Sequence, residues 1–194
     1  MDMLEPDLIH ELLHALDGRL ALSRTRIELV VIGGAGLTIL GLVERPTRDV
    51  DVVALLDGGE LRSAKPLPAA LVAARDAVAA DFGVSDGWLN AGPGDLLRWG
   101  LPQGFVEGVT RREVGSALVL QLASRLDQIH FKLYAFVDQG LGRHEEDLRA
   151  LEPTAAELEA AARWTVTQDP SEGYRQELLG ALRYLGVDDV ALDG

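Results

Sequence analysis

The chain has 194 residues, of which 47% are apolar and 25% charged, a balance that supports a sizeable core and excludes intrinsic disorder over most of its length. Eighteen basic residues against 31 acidic ones leave a net charge of −13, so broad electrostatic adhesion to DNA or RNA is unfavourable. Cysteine is absent, which excludes disulfides, thiolate zinc sites and cysteine nucleophiles together. No apolar run approaches the ~18 residues of a membrane span. The acidic start, Met1 to Asp7, lacks the basic segment of a signal peptide, and the chain reads as cytoplasmic.

In chain order, Leu8, Leu12, Leu13, Leu16 and Leu20 recur at helical spacing and predict an N-terminal amphipathic helix over about 4–22. Ile27 to Ile32 is a β-branched run closed by Gly33-Gly34, which predicts a buried strand and a sharp turn. A short helix is expected over Ala35 to Val43, and a second strand over Asp49 to Leu56. Because a helix joins these two strands, the expectation is a crossover connection between neighbours in one sheet. Pro66 to Phe82 is alanine-rich and helical, Gly87 to Asn90 is a short strand candidate, and Ala91 to Gly108 reads as a long Gly/Pro-rich loop. Ala117 to Ala123 returns to strand.

Helical patterns then cover Asp127–Val137, Glu145–Leu151, Thr154–Thr167 and Ser171–Leu185, with a capping box from Thr154 to Glu157. The expected class is α/β (α+β): a mixed sheet flanked by helices, in a single domain. The N-terminal helix leads into a core over about 27–136, and a helical extension follows over about 137–194.

The densest cluster of chemistry is Gly33-Gly34-Ala35-Gly36 followed by Arg45-Pro46-Thr47-Arg48-Asp49-Val50-Asp51. Alternate residues of a strand share a face, so Asp49 and Asp51 project together with Cα atoms about 6.6 Å apart. Two carboxylates so placed repel unless a cation lies between them, and Mg²⁺ completed by phosphate oxygens suits such a pair. Arg45, Thr47 and, as a third candidate, Arg48 precede the pair and are placed to meet phosphate. The Gly33-Gly34 turn offers backbone N–H groups. Lys132 is one of only two lysines, and a compact ammonium suits phosphate as a point charge.

This combination resembles the polymerase-β-like nucleotidyltransferase superfamily: Gly33-Gly34 after a first strand, a short helix, then Asp49-Val50-Asp51 on the next strand. The spacing Arg45-x-Thr47-x-Asp49-x-Asp51 is similar to the small bacterial branch that includes the AbiEii-type toxins of toxin–antitoxin systems. Asp127 to Ala135, with Lys132, and His144 to Leu148 resemble its following helices.

The resemblance implies Mg²⁺ on Asp49 and Asp51, an NTP triphosphate held at Gly33, Gly34, Arg45, Thr47 and Lys132, and transfer of NMP to an RNA end or a protein acceptor. A cognate partner protein is left open by this resemblance, while the apolar runs and the net charge give the expectation of no membrane and no broad DNA binding. The alternative is a degenerate member that binds nucleotide or protein without turnover. Active members carry a third carboxylate from a later strand. Here Ala117 to Ala123 offers only Gln121, so Asp86 is the candidate, followed by Glu107 and Glu113.

Competing motifs are weaker. A third glycine is missing from a dinucleotide fingerprint, because that position is Ile39, and no lysine makes Gly33–Gly36 a P-loop. His10 and His14 read as a solvated helix face, and Arg125-x4-His130 resembles the HEPN ribonuclease motif in a chain whose strands argue against that all-helical fold.

Overall fold

The computed structural model describes residues 3–188 and 190–192; the ends of the acidic N-terminal start and of the C-terminal extension lie outside them. Helix α1 (Pro6–Leu22) buries Ile9, Leu12, Leu13, Leu16 and Leu20 along one stripe. Strand β1 (Ile27–Ile32) follows, then the short helix α2 (Gly33–Ile39), β2 (Val50–Asp57), β3 (Glu60–Ser63) and helix α3 (Ala69–Phe82). Strand β4 (Leu89–Asn90) is only two residues long. The stretch expected as an open loop instead winds into short helical turns, Gly92–Asp95, α4 (Leu96–Trp99) and α5 (Phe105–Gly108). Strands β5 (Thr110–Glu113) and β6 (Leu118–Leu122) precede helices α6 (Arg125–Gln139), α7 (Arg143–Ala150), α8 (Ala155–Gln168) and α9 (Glu172–Tyr184).

The sheet is mixed, in the order β3-β2-β1-β6-β5, with β4 also pairing β2. Strands β1 and β6 are parallel, whereas β1 and β2 are antiparallel neighbours, with Ile32 facing Asp51. The expected crossover is therefore corrected. Helix α2 has only seven residues, so the segment 33–49 leaves and re-enters the sheet at one end instead of travelling the length of a strand. The far edge of β2 is divided: Ala54–Asp57 pairs β3, while Val50 and Asp51 pair β4 in parallel.

Side chains of β1 alternate between two cores. Leu29 and Val31 face α1 and α3, and Val30 and Ile32 face Phe105, Phe131 and Trp164. A sheet covered on both faces in this way needs apolar residues on both, which is why β1 and β6 read as continuous apolar runs. Asp17 of α1 ties the first layer to β6, its Oδ1 accepting from the N–H groups of Ala117 and Leu118 at 2.8 and 2.7 Å. A third cluster gathers α6, α7, α8 and α9 around Leu133, Leu148, Leu158 and Leu178.

Helix α6 thus lies between the sheet and the C-terminal helices. It is buried on more sides than the one stripe of Ile129, Leu133 and Phe136 predicts, and Gln128, His130 and Lys132 are buried with them. Capping boxes start α6 (Ser124 with Asp127) and α8 (Thr154 with Glu157), the second as expected.

Candidate functional site

The site forms where β1 ends and β2 begins. Gly33 has φ +77°, a conformation that glycine takes freely and that turns the chain from β1 into α2. A Cβ at Gly33 would lie 2.7 Å from Asp51 Oδ2, and one at Gly34 would lie 2.6 Å from Thr47 Oγ1 and 3.3 Å from the Arg45 guanidinium. The two glycines and the 45–51 segment are therefore pressed into one wall. Asp49 and Asp51 alternate with Val50 and Val52, which pack toward α1 and α3, so the carboxylates take the opposite face and line a cavity of about 430 Å³.

The amide N–H of Gly33 is already used, donating to Gln128 Oε1 at 3.1 Å. As a phosphate donor Gly33 is corrected. What the glycine turn supplies is room for Asp51 and Thr47 to approach. Thr47 is buried, its backbone bridged to Leu4 in both directions, and its hydroxyl side lines the cavity.

Arg45 and Lys132 both reach the cavity wall and both are spent on one carboxylate. Arg45 grips Asp147 through Nε and Nη2, and Lys132 Nζ lies 2.6 Å from the same Asp147, whose side chain is 1% exposed. Burial works against ionisation of Asp147, but the hydrogen bond from Arg45 and the charge and hydrogen bond of Lys132 outweigh it and hold its pKa below the usual carboxylate value. Burial also lowers the Lys132 pKa, with Asp147 and Asp51 opposing the shift. Both residues expected at the phosphates thus line the cavity, with Asp147 as a shared partner that the sequence did not reveal. Lys132 nevertheless stays near enough to lower the pKa of Asp49 and Asp51.

Arg143, at the start of α7, lines the cavity, acts on both aspartates and has no hydrogen-bond or ion-pair partner among the described residues. His144 beside it has its pKa pushed down to about 4, first by burial and then by Lys132 and Arg143, and so is neutral at physiological pH. The sequence does not single out Arg143, and marks His144 only as the start of a stretch that resembles the family's following helices.

The position opposite Asp51 on the parallel strand β4 is Asn90. Its Nδ2 donates to Asp49 Oδ2 at 3.0 Å. Asp86 is corrected: it is exposed in the one-turn 3-10 helix Asp86–Trp88 capped by Ser85, ahead of β4, and does not line the cavity. It is the end of β4, not its start, that meets the aspartates. Glu107 and Glu113 are exposed, and Glu113 pairs with Arg111. Gln121 is buried against β1, its amide donating to Glu28 Oε2 at 2.8 Å.

Burial pushes Asp51 up to about 6, with the neighbouring Asp49 charge adding to the shift and Lys132 opposing it. Asp49 is also raised by burial, against the pull of Arg143 and the Asn90 hydrogen bond. The described residues contain no cluster of three or more His, Cys, Asp or Glu side chains arranged to hold a metal. The Asn90 amide is already used, donating to Asp49 and accepting from the Gly92 N–H at 2.7 Å. The two carboxylates are therefore what fit a magnesium ion, with its remaining positions filled by phosphate oxygens and water, the usual division between protein and substrate.

The HEPN-like pair is structural. Arg125 is held by Glu157 and by the Leu151 and Glu152 carbonyls, and His130 hydrogen-bonds the Leu126 carbonyl and packs on Trp164. No described helix is long and apolar enough to cross a membrane. No family model, curated protein or solved structure matches the chain.

Proposed function

We propose that the cavity binds a magnesium–nucleoside triphosphate and that the protein is a nucleotidyltransferase transferring NMP to an RNA end or a protein acceptor. One observation carries this reading: the close approach of Gly33-Gly34 to Thr47 and Asp51, which makes a single wall of two motifs 15 residues apart in sequence.

Asp49 and Asp51 would hold the ion, which when bound supplies charge neutralisation at the α-phosphate and orientation for in-line displacement of pyrophosphate. Asn90 orients Asp49. Arg143 is placed to meet the outer phosphates, and the Arg45–Asp147–Lys132 cluster fixes that side of the cavity while leaving a net positive charge facing the aspartates. An acceptor approaches from the open side of the cavity. The net charge of −13 favours a small RNA end or a protein over an extended nucleic-acid surface.

The toxin-like role, the cognate partner and the cytoplasmic location belong to the same proposal. A second reading, binding without turnover, is favoured by Asn90, a neutral amide at the register position facing Asp51.

The test is incubation of the protein with each α-labelled NTP, Mg²⁺, total RNA and cell protein. Label on an acceptor, lost in Asp49→Asn, supports transfer. Tight Mg-NTP binding with no label on any acceptor favours the second reading, and absence of both overturns the proposal.

A further inference from the structure

Beyond the carboxylates the cavity changes character. Leu96, Trp99, Phe131 and Tyr134 line the same cavity and make its apolar part, and Trp99 is 65% exposed. This tryptophan is held in place. The carbonyl of the next residue, Gly100, accepts from Trp164 Nε1 at 3.1 Å and from Gln168 Nε2 at 3.0 Å, both on α8. Gly100 has φ +97°, which turns the chain away after Trp99, and the Arg98 guanidinium lies 6.0 Å over the indole.

The clamp spends the amide nitrogen of Gln168 and leaves its Oε1 buried with no partner among the described residues, in a side chain 9% exposed that lines the same cavity. An unpaired buried acceptor carries a desolvation penalty that a donor on a ligand removes.

We propose that this apolar part is the nucleobase subsite of the triphosphate site, with the base stacked on Trp99 and an exocyclic amino group donating to Gln168 Oε1. The assignment rests on the magnesium–triphosphate reading of the carboxylates that line the same cavity. Aromatic stacking is indifferent to base identity, because every base has a π face. Choice comes from the glutamine, which can only accept. Adenine, cytosine and guanine bring an amino group to such a position. Uracil brings one N–H flanked by two carbonyls, which repel the amide oxygen. The substrate class is therefore an amino-bearing nucleotide, with UTP disfavoured.

Calorimetry on the full chain with Mg²⁺ tests the assignment, using inorganic tripolyphosphate, ATP, CTP, UTP and the triphosphate of purine riboside, which lacks the amino group of adenosine. In the wild-type protein ATP and CTP are expected to bind roughly fifty-fold tighter than tripolyphosphate, about ten-fold from one stacked base and about five-fold from the amino hydrogen bond. The purine riboside nucleotide and UTP are expected to fall roughly five-fold below their amino counterparts, the scale of one hydrogen bond. Trp99→Ala, at an exposed position, should weaken ATP and CTP roughly ten-fold, while tripolyphosphate binding stays the same.

If nucleotides bind no better than tripolyphosphate, or Trp99→Ala leaves ATP and CTP unchanged, the stacking site is overturned. If the purine riboside nucleotide matches ATP and UTP matches CTP, the glutamine assignment is overturned. If tripolyphosphate and the nucleotides all fail to bind, the magnesium–triphosphate reading itself falls and takes the subsite with it.

Discussion

Asp51 is neutral more readily in the folded protein than in the unfolded chain, since its pKa rises from 3.8 to about 6. A raised carboxylate contributes stability that is fully present below its unfolded pKa and is lost as pH rises through the folded one. In chelator-treated protein, Asp51→Asn should therefore raise stability at pH 7.5 by on the order of 1–2 kcal/mol after solvent screening, and the thermal midpoint with it, with the gap closing toward pH 4. A melting series across that range checks it, and a gap constant with pH would contradict it.

Lys132 calls for the opposite expectation. It is 3% exposed and shares Asp147 with Arg45, so Lys132→Ala leaves a buried carboxylate half-compensated and should cost on the order of 3 kcal/mol. Lys65, paired with Asp95 where both are exposed, should cost less than about 0.5 kcal/mol as Lys65→Ala. Urea midpoints at constant m-value separate the two.

The sequence made the two aspartates and the two glycines legible, because strand alternation and a glycine stop are local signals. It could not show that Lys132 and Arg45 are already partnered. Asp147 lies 102 positions from Arg45, and only the docking of α7 brings them together. Asn90 was unreadable for a different reason: a neutral amide draws attention only once the register puts it opposite Asp51.

Among the elements, those with a long apolar period were legible within a residue or two at most ends, and the short ones were not. Strands β3 and β5 carry Glu60 and Arg62, and Arg111, Arg112 and Glu113, so no apolar alternation betrays them; charge on an edge strand also guards it against pairing with another chain. The antiparallel return of β2 was missed because a helix between strands suggests a crossover, and nothing local says that α2 stops after seven residues.

The turn that starts α2 yields a sharp prediction. Gly34→Ala adds a methyl group 2.6 Å from the Thr47 hydroxyl, which must shift together with the 45–51 segment. Mg-NTP affinity should fall at least ten-fold while the circular dichroism spectrum is preserved. The capping box of α8 lies far from that wall, and Thr154→Ala should lower stability by about 1 kcal/mol through loss of the cap, leaving Mg-NTP affinity unchanged.

At the scale of the whole molecule, a net charge of −13 means that the folded state works against its own repulsion. Raising NaCl from about 10 to about 150 mM shortens the screening length to ~8 Å and should raise the thermal midpoint; a flat or falling midpoint would show that the local ion pairs outweigh the net field. The order of the sheet also carries a consequence for synthesis. Strand β1 finds one neighbour within the next hairpin-like return but waits about 90 residues for the other, since Ile27 pairs with Leu118. At ribosomal rates that wait lasts roughly 5–20 s, during which one edge of β1 has no native partner. The two aspartates and the glycine turn emerge in that interval, while the basic residues of α6 and α7 have still to be made. The nascent chain thus exposes a sticky strand edge beside the carboxylates of Asp49 and Asp51, balanced at that stage only by the neighbouring Arg45 and Arg48, until β6 arrives.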